Sequence, residues 1–128
     1  MWKVCWEDKS KLLHDRKEVL ELIEKLNEEY LDQGSIIVRV ENDSGDTLCM
    51  GIGNKKGYSF IDYISHDGYM AKRAEGENVG DDIISFNMGG YESEFYISET
   101  IKYQTALAIL KQYLLNNSLD NQVKWIDD

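Results

Sequence analysis

At Gly34 the spacing of apolar residues changes from a helical period to a strand period, which divides the chain into two regimes. Before Gly34, Val19, Ile23, Leu26 and Tyr30 recur at steps of three and four, the stripe of an amphipathic helix, widened by Leu20, Leu22 and Leu31. Asp15-Arg16-Lys17-Glu18 has the spacing of a capping box, with Asp15 accepting an orphan amide and Glu18 reaching back. Gly34 can take the left-handed conformation that ends a helix. After Gly34, Ile36, Val38 and Val40 alternate with Arg39 and Glu41, so one face of a strand is apolar and the other polar.

The strand period persists. Asp43-Ser44-Gly45-Asp46 makes a turn, and Leu48, Met50 and Ile52 continue inward on the second arm of a hairpin. Asn54-Lys55-Lys56-Gly57 turns into a strand over Tyr58 to Ile64. His66-Asp67-Gly68 turns into another around Tyr69 to Arg73. Glu75 to Asp82 reads as a loop. Ile84, Phe86 and Met88 alternate as a strand that Gly89-Gly90 breaks. Tyr91, Ser93, Phe95 and Ile97 then share one strand face, with Glu92, Glu94 and Tyr96 on the other. A second helix opens at Ser98 or Glu99, buries Ile101, Ala106, Ile109, Leu110, Tyr113 and Leu114, and ends at Asn117. At the start of the chain Trp2, Val4 and Trp6 alternate as a strand, and Lys9 to His14 fits either a loop or an extra turn. Val123 and Trp125 form a short final strand or extended tail. Two amphipathic helices must both bury a face. The expected fold is therefore α+β: a twisted antiparallel β-sheet with both helices packed against it, as a single domain over residues 1–128.

Charge and cysteine usage narrow the function classes. The formal net charge is −10, which opposes binding to nucleic acid or an anionic membrane and suits a basic partner. There is no apolar signal-peptide core near Met1 and no stretch of membrane-spanning length. Cys5 and Cys49 lie far apart without CxxC partners and are expected to be free and reduced. These features point to the cytoplasm.

No pattern of catalytic chemistry emerges. Gly51-Ile52-Gly53 and Gly57 precede a strand, whereas a phosphate loop opens a helix whose amides converge on the anion. His14 and His66 each adjoin an aspartate but no marked nucleophile. The two histidines, two distant cysteines and scattered acids have no metal-ligand spacing, and Asp81-Asp82 reads as an exposed acidic loop. Glu92 and Glu94 share a strand face, but nothing marks a sugar-binding cleft beside them. The expectation is a protein that is not an enzyme and needs no cofactor, metal or small-molecule substrate.

Acids and tyrosines carry the interaction signal instead. Tyrosine offers a large rigid surface with a hydrogen-bonding tip, which favours it at interfaces. Eight tyrosines exceed what two helices and a sheet need for packing. Candidate partner-binding residues are Asp62 and Tyr63, Asp67 and Tyr69, and the strand-face group Glu92, Glu94 and Tyr96. The acids Glu75, Glu77, Asp81 and Asp82 of the loop complete the set, and Tyr91, beside Glu92, is a further candidate tyrosine.

Taken together, these segments resemble a family of bacterial polymorphic-toxin immunity proteins, the first-numbered of the immunity families. The matching positions at the C-terminal end are Ile97-Ser98, Ala106-Leu107, Tyr113-Leu114, Asn117-Ser118-Leu119-Asp120 and Val123-Lys124-Trp125. In the middle they are Gly51-Ile52-Gly53, Tyr58 to Tyr63 and Gly68-Tyr69, and the Leu-Ile-Glu-Lys-Leu run of the first helix also fits. Ser98 and Asp120 stand where the family has prolines. The resemblance implies a cytoplasmic inhibitor that binds a cognate secreted toxin one to one. The resemblance implies a toxin often of the nucleic-acid deaminase type, with nucleases and other toxins as alternatives, whose basic surface an acidic, tyrosine-bearing face would cover. The rival expectations are an interaction adaptor with no toxin partner and, behind it, a small hydrolase or ligand-binding protein.

Overall fold

The computed structural model describes residues 1–119 and 123–128; Asp120 of the family-like exit lies outside the described residues. The described elements are strands β1 (Trp2–Trp6) and β2 (Lys9–Leu13), helix α1 (Arg16–Tyr30), and strands β3 (Ile36–Glu41), β4 (Thr47–Ile52), β5 (Tyr58–Ser59), β6 (Ile61–Ile64) and β7 (Ala71–Ala74). A hairpin of β8 (Ile83–Met88) and β9 (Tyr91–Tyr96) follows, then a 3-10 turn (Ile97–Glu99), β10 (Ile101–Lys102), helix α2 (Tyr103–Asn116) and β11 (Trp125–Asp127). The main path of the sheet runs β11-β7-β6-β4-β3-β1-β2, and every neighbouring pair on it is antiparallel. The β8–β9 hairpin branches from β3, and β10 pairs separately with β5. This is the α+β architecture expected from the change of period.

Both helices pack on one face of the sheet, the front. Val19, Ile23, Leu26 and Tyr30 of α1 meet Val4, Val38, Met50 and Ile52, and Ala106, Ile109, Leu110 and Tyr113 of α2 join the same cluster. Asp15 caps α1 by accepting from the Lys17 amide at 2.9 Å. The Gly34 amide bonds the Tyr30 carbonyl at 3.0 Å, and its φ of 108° lies in the region glycine favours. Gly53 brings a backbone still closer: a Cβ there would lie 2.7 Å from Cβ of Tyr30. Asn117 ends α2 in the left-handed conformation with its amide bonded to the Tyr113 carbonyl. The buried Asn42 then ties this end of α2 to the β3–β4 turn. Its amide group donates to the Tyr113 hydroxyl at 3.0 Å and to Asn117 Oδ1 at 2.9 Å, while its oxygen accepts from the Ser44 and Asp46 amides.

Several boundaries differ from the sequence reading. Lys9 to Leu13 is a strand paired along its length with β1, a tertiary contact that its own pattern does not announce. Phe60 interrupts the strand read over Tyr58 to Ile64, because its ring turns to the back of the sheet. Tyr69 and Met70 precede β7 and belong to a turn. Helix α2 starts at Tyr103 rather than at Ser98 or Glu99; those two form the 3-10 turn, and Ile101 is buried from β10. Trp125 opens β11 and packs partly buried against the main core.

Candidate interaction site

The back of the sheet is covered over one part only. Ile37 and Phe60 project there, out of phase with the front-facing residues, and the β8–β9 hairpin lays Phe86 and Phe95 on them. Phe60 stacks on Phe95 with centroids 4.5 Å apart and meets Phe86 edge-on at 5.2 Å. Gly51 makes room for this: a Cβ there would come within 2.6 Å of the Phe86 ring and 2.9 Å of the Phe60 ring. Arg73 closes the cluster, with its guanidinium 4.6 Å from the Phe95 centroid. The Asp62 carboxylate grips that guanidinium in two bonds of 2.7 and 3.1 Å, which holds the Arg73 pKa above its ordinary value.

With its inner face so committed, the hairpin turns its outer face to solvent. The register pairs Ile83 with Tyr96, Ser85 with Glu94 and Asn87 with Glu92, three rungs that share this outer face. Ile83 and Tyr96 are 55% and 53% exposed, far more than a packing role needs. The hairpin tip is Gly89-Gly90, with both φ values positive and the Gly90 amide bonded to Asn87 Oδ1.

Beside the outer face lies a cleft of about 790 Å³, between the α1–β3 connection and the β4–β5 turn. Its apolar side is formed by Leu31, Tyr58, Ile83, Ile84 and Ile97; Lys55, Lys56, Asp32 and Asp82 line it as well. Gln33, Gly34 and Ser35 also border a second, polar cavity of about 330 Å³, where Glu7 and Glu92 contribute carboxylates. Glu7 is held in a tight turn with a φ of 48° and accepts a hydrogen bond from the Tyr30 hydroxyl. Burial, with Glu7 adding to it, pushes the Tyr30 pKa up to about 12.

Of the residues singled out from the sequence, Glu92, Glu94 and Tyr96 come together on this exposed face, with Asp81 and Asp82 exposed at its approach. The others are placed elsewhere. Asp62 is bound to Arg73 on the back of the sheet. Tyr63 faces the main core, its ring edge-on to Tyr113 with centroids 6.2 Å apart, so its sequence neighbour Asp62 and it look to opposite sides. Asp67 organises the β6–β7 turn by accepting from the Ser65 hydroxyl and the Tyr69 amide, and these bonds hold its carboxyl below the usual range. Tyr69, at that turn, is 94% exposed. Glu75 pairs with Lys124 at 3.5 Å. Glu77 accepts from the Lys102 amide at the start of α2. Burial would raise its pKa, but this bond and one from Thr105 outweigh it and leave the carboxyl below the ordinary value. Tyr91, at the hairpin tip, is also exposed.

Ile83, Ser85, Asn87 and Glu7 were not singled out from the sequence. Ile83 carried the clearest missed signal, because it is an apolar residue one step out of phase with Ile84 and Phe86.

His66 belongs to a turn: its amide donates to Asp46 Oδ1 at 2.9 Å and its ring nitrogen lies 3.3 Å from the same oxygen. Cys5 and Cys49 are free, and burial pushes the Cys49 pKa up to about 12, so its thiol stays protonated at neutral pH. Among the described residues no three His, Cys, Asp or Glu side chains are grouped to hold a metal ion, and no helix is long and apolar enough to cross a membrane. No family model and no curated protein matches the chain.

Proposed function

We propose that this chain is an immunity protein. It binds a cognate secreted toxin of the nucleic-acid deaminase or nuclease type, one to one in the cytoplasm, and covers the toxin's active or substrate-binding surface. The observation that carries this reading is the outer face of the β8–β9 hairpin, where Glu92 and Glu94 stand beside exposed Tyr96 and Ile83. An apolar pair flanked by carboxylates, on a molecule of net charge −10, complements a basic surface that has an apolar centre. A toxin that grips nucleic acid presents basic side chains, because phosphate neutralisation supplies a large share of that affinity. The acids steer encounter, and the aromatic and aliphatic side chains hold the complex once formed. The family resemblance of the sequence points the same way.

The test is protection of cells expressing the toxin encoded in the neighbouring reading frame, together with association kinetics of the purified pair across a salt series. Glu92→Gln with Glu94→Gln should slow association and flatten its salt dependence. Tyr96→Ala should accelerate dissociation about thirtyfold if the ring is a hot spot worth about 2 kcal/mol. If the double variant changes neither the rate nor the salt slope, this face is not the interface. If no neighbouring gene product is toxic, the immunity reading itself falls.

A further inference from the structure

The backbone beside this face is half-used. The Asn87 amide donates to the Ser35 carbonyl at 2.9 Å, so the backbone groups of Asn87 point from β8 toward β3 and away from β9. Residues two apart on a strand direct their N–H and C=O groups to the same side. Ile83 and Ser85 therefore also point away from β9. The alternate set faces β9, as the Ile97 amide bonded to the Asp82 carbonyl at 3.0 Å confirms. The pairing with β3 is confined to Ile36 and Asn87. The two amides and two carbonyls of Ile83 and Ser85 thus have no backbone partner among the described residues. They open where the 790 Å³ cleft borders Ile83 and the polar cavity borders Ser85.

We propose that an extended segment of the partner protein adds here as a further strand along β8, with a basic side chain received between Glu7 and Glu92. This rests on the immunity reading for the identity of the partner. Chemistry selects the occupant. Unpaired strand edges recruit extended backbone, and the hydrogen bonds of the added ladder supply affinity without regard to sequence. Sequence preference comes from the two ends of the groove. The polar cavity is lined by the carboxylates of Glu7 and Glu92 and by no lysine or arginine. The far end is lined by both signs, Lys55 and Lys56 with Asp32 and Asp82, so no charge is selected there, and an apolar side chain fits against Ile83, Ile84 and Ile97. The segment is therefore oriented as well as held. Of the rival edges, β2 carries Lys9 and Lys11 and β11 is a strand of 3 residues; on β9 the Tyr96 amide is bonded to Glu99, while those of Glu92 and Glu94 are open among the described residues and are read separately below.

The test titrates the full-length, nitrogen-15-labelled chain with an acetylated Arg-Thr-Val-Thr-Val amide to millimolar concentration and reads each backbone amide by NMR. The expected result is saturable shifts and slowed exchange at Ile83 and Ser85. Replacing the peptide's Arg by Glu should weaken binding about tenfold or more, and Glu92→Lys should do the same to the original peptide. Ser85→Pro deletes one of the outward amides, and proline is tolerated where a strand N–H faces outward, so this variant should fold and lose at least about tenfold in affinity. Should it not fold, a peptide N-methylated on the edge facing β8 makes the same deletion from the other side and should also fail to bind. Strand addition is overturned if the peptide leaves Ile83 and Ser85 unmoved, if it shifts the β9 amides of Glu92 and Glu94 instead, or if the N-methylated peptide binds equally well. No toxin enters the measurement. Docking of the peptide without protection in cells overturns the immunity reading alone; protection without docking overturns strand addition alone.

Discussion

The two faces of the sheet are built by different means. On the front, β1, β3, β4 and both helices share one cluster in which Val, Ile and Leu residues from distant parts of the chain are almost wholly buried. On the back, Ile37, Phe60, Phe86 and Phe95 hold a single hairpin, which touches the main ladder at the Ile36–Asn87 bridge. A large interlocked core can lose no element without losing the fold, whereas a hairpin on four side chains can come away by itself. The outer face of such a hairpin can change sequence freely at Ser85, Glu92 and Glu94, because these residues are not those that anchor it. Anchoring and exposure are thereby assigned to alternate residues of the same two strands.

This contrast can be broken by experiment. Leu110→Ala removes a fully buried side chain from the front core and should cost about 2–5 kcal/mol, seen as a fall in the denaturation midpoint with all probes moving together. Phe95→Ala should cost the global transition less, about 1–3 kcal/mol, because release of the hairpin limits the damage. Its signature is faster amide exchange confined to β8 and β9, and loss of protection in α1 or α2 would show the two regions to be one cooperative unit. Gly51→Ala should be milder, about 1–2 kcal/mol, since the new methyl wedges between the Phe86 and Phe60 rings and they must shift to accept it. Its effect should likewise appear in the hairpin.

The smallest effect is electrostatic and separates another pair of sites. Hydrogen bonds from the His66 backbone, opposed by burial, leave the Asp46 carboxyl below its ordinary value. A carboxyl lowered by folding stabilises the native state at pH values above its unfolded pKa, and that contribution fades as the pH falls through the folded one. Stability should therefore decline from about pH 4 downward, and Asp46→Asn should remove part of the slope. A midpoint equally steep in the variant would assign the decline to other carboxylates, such as Glu77 at the start of α2.

How much of this was legible in sequence depends on the range of the interaction. The stripe of α1 and the alternation of β3, β4, β8 and β9 are local periods, and they appear where the pattern places them. Lys9 to Leu13 has no period of its own and is a strand because β1 lies beside it. The start of α2 is hidden for another reason: Ile101 is apolar and in phase with the helix, yet it is buried from β10 against Ser59. The second core left a trace in the unbroken run Ile36-Ile37-Val38, which marks a strand buried on both faces. Alternation grouped Glu92, Glu94 and Tyr96 correctly on one face. It could not show that Tyr63 turns inward while Tyr69 turns out, because that depends on which face each turn hands to the next strand.

The Asn42 amide joins residues 71 and 75 positions away along the chain, and this has a consequence for synthesis. Contacts that distant close large loops and form late. A nascent chain that has just completed the β8–β9 hairpin lacks α2, so the front-face residues beneath that helix are still uncovered. The side chains that hide them, Ala106, Ile109 and Leu110 among them, have not yet been made. The exposed face of the hairpin thus exists as sequence before the molecule beneath it can fold. The Asn42 clasp fastens only once Tyr113 and Asn117 have emerged, so a ribosome paused before α2 holds out an open apolar sheet rather than a working domain.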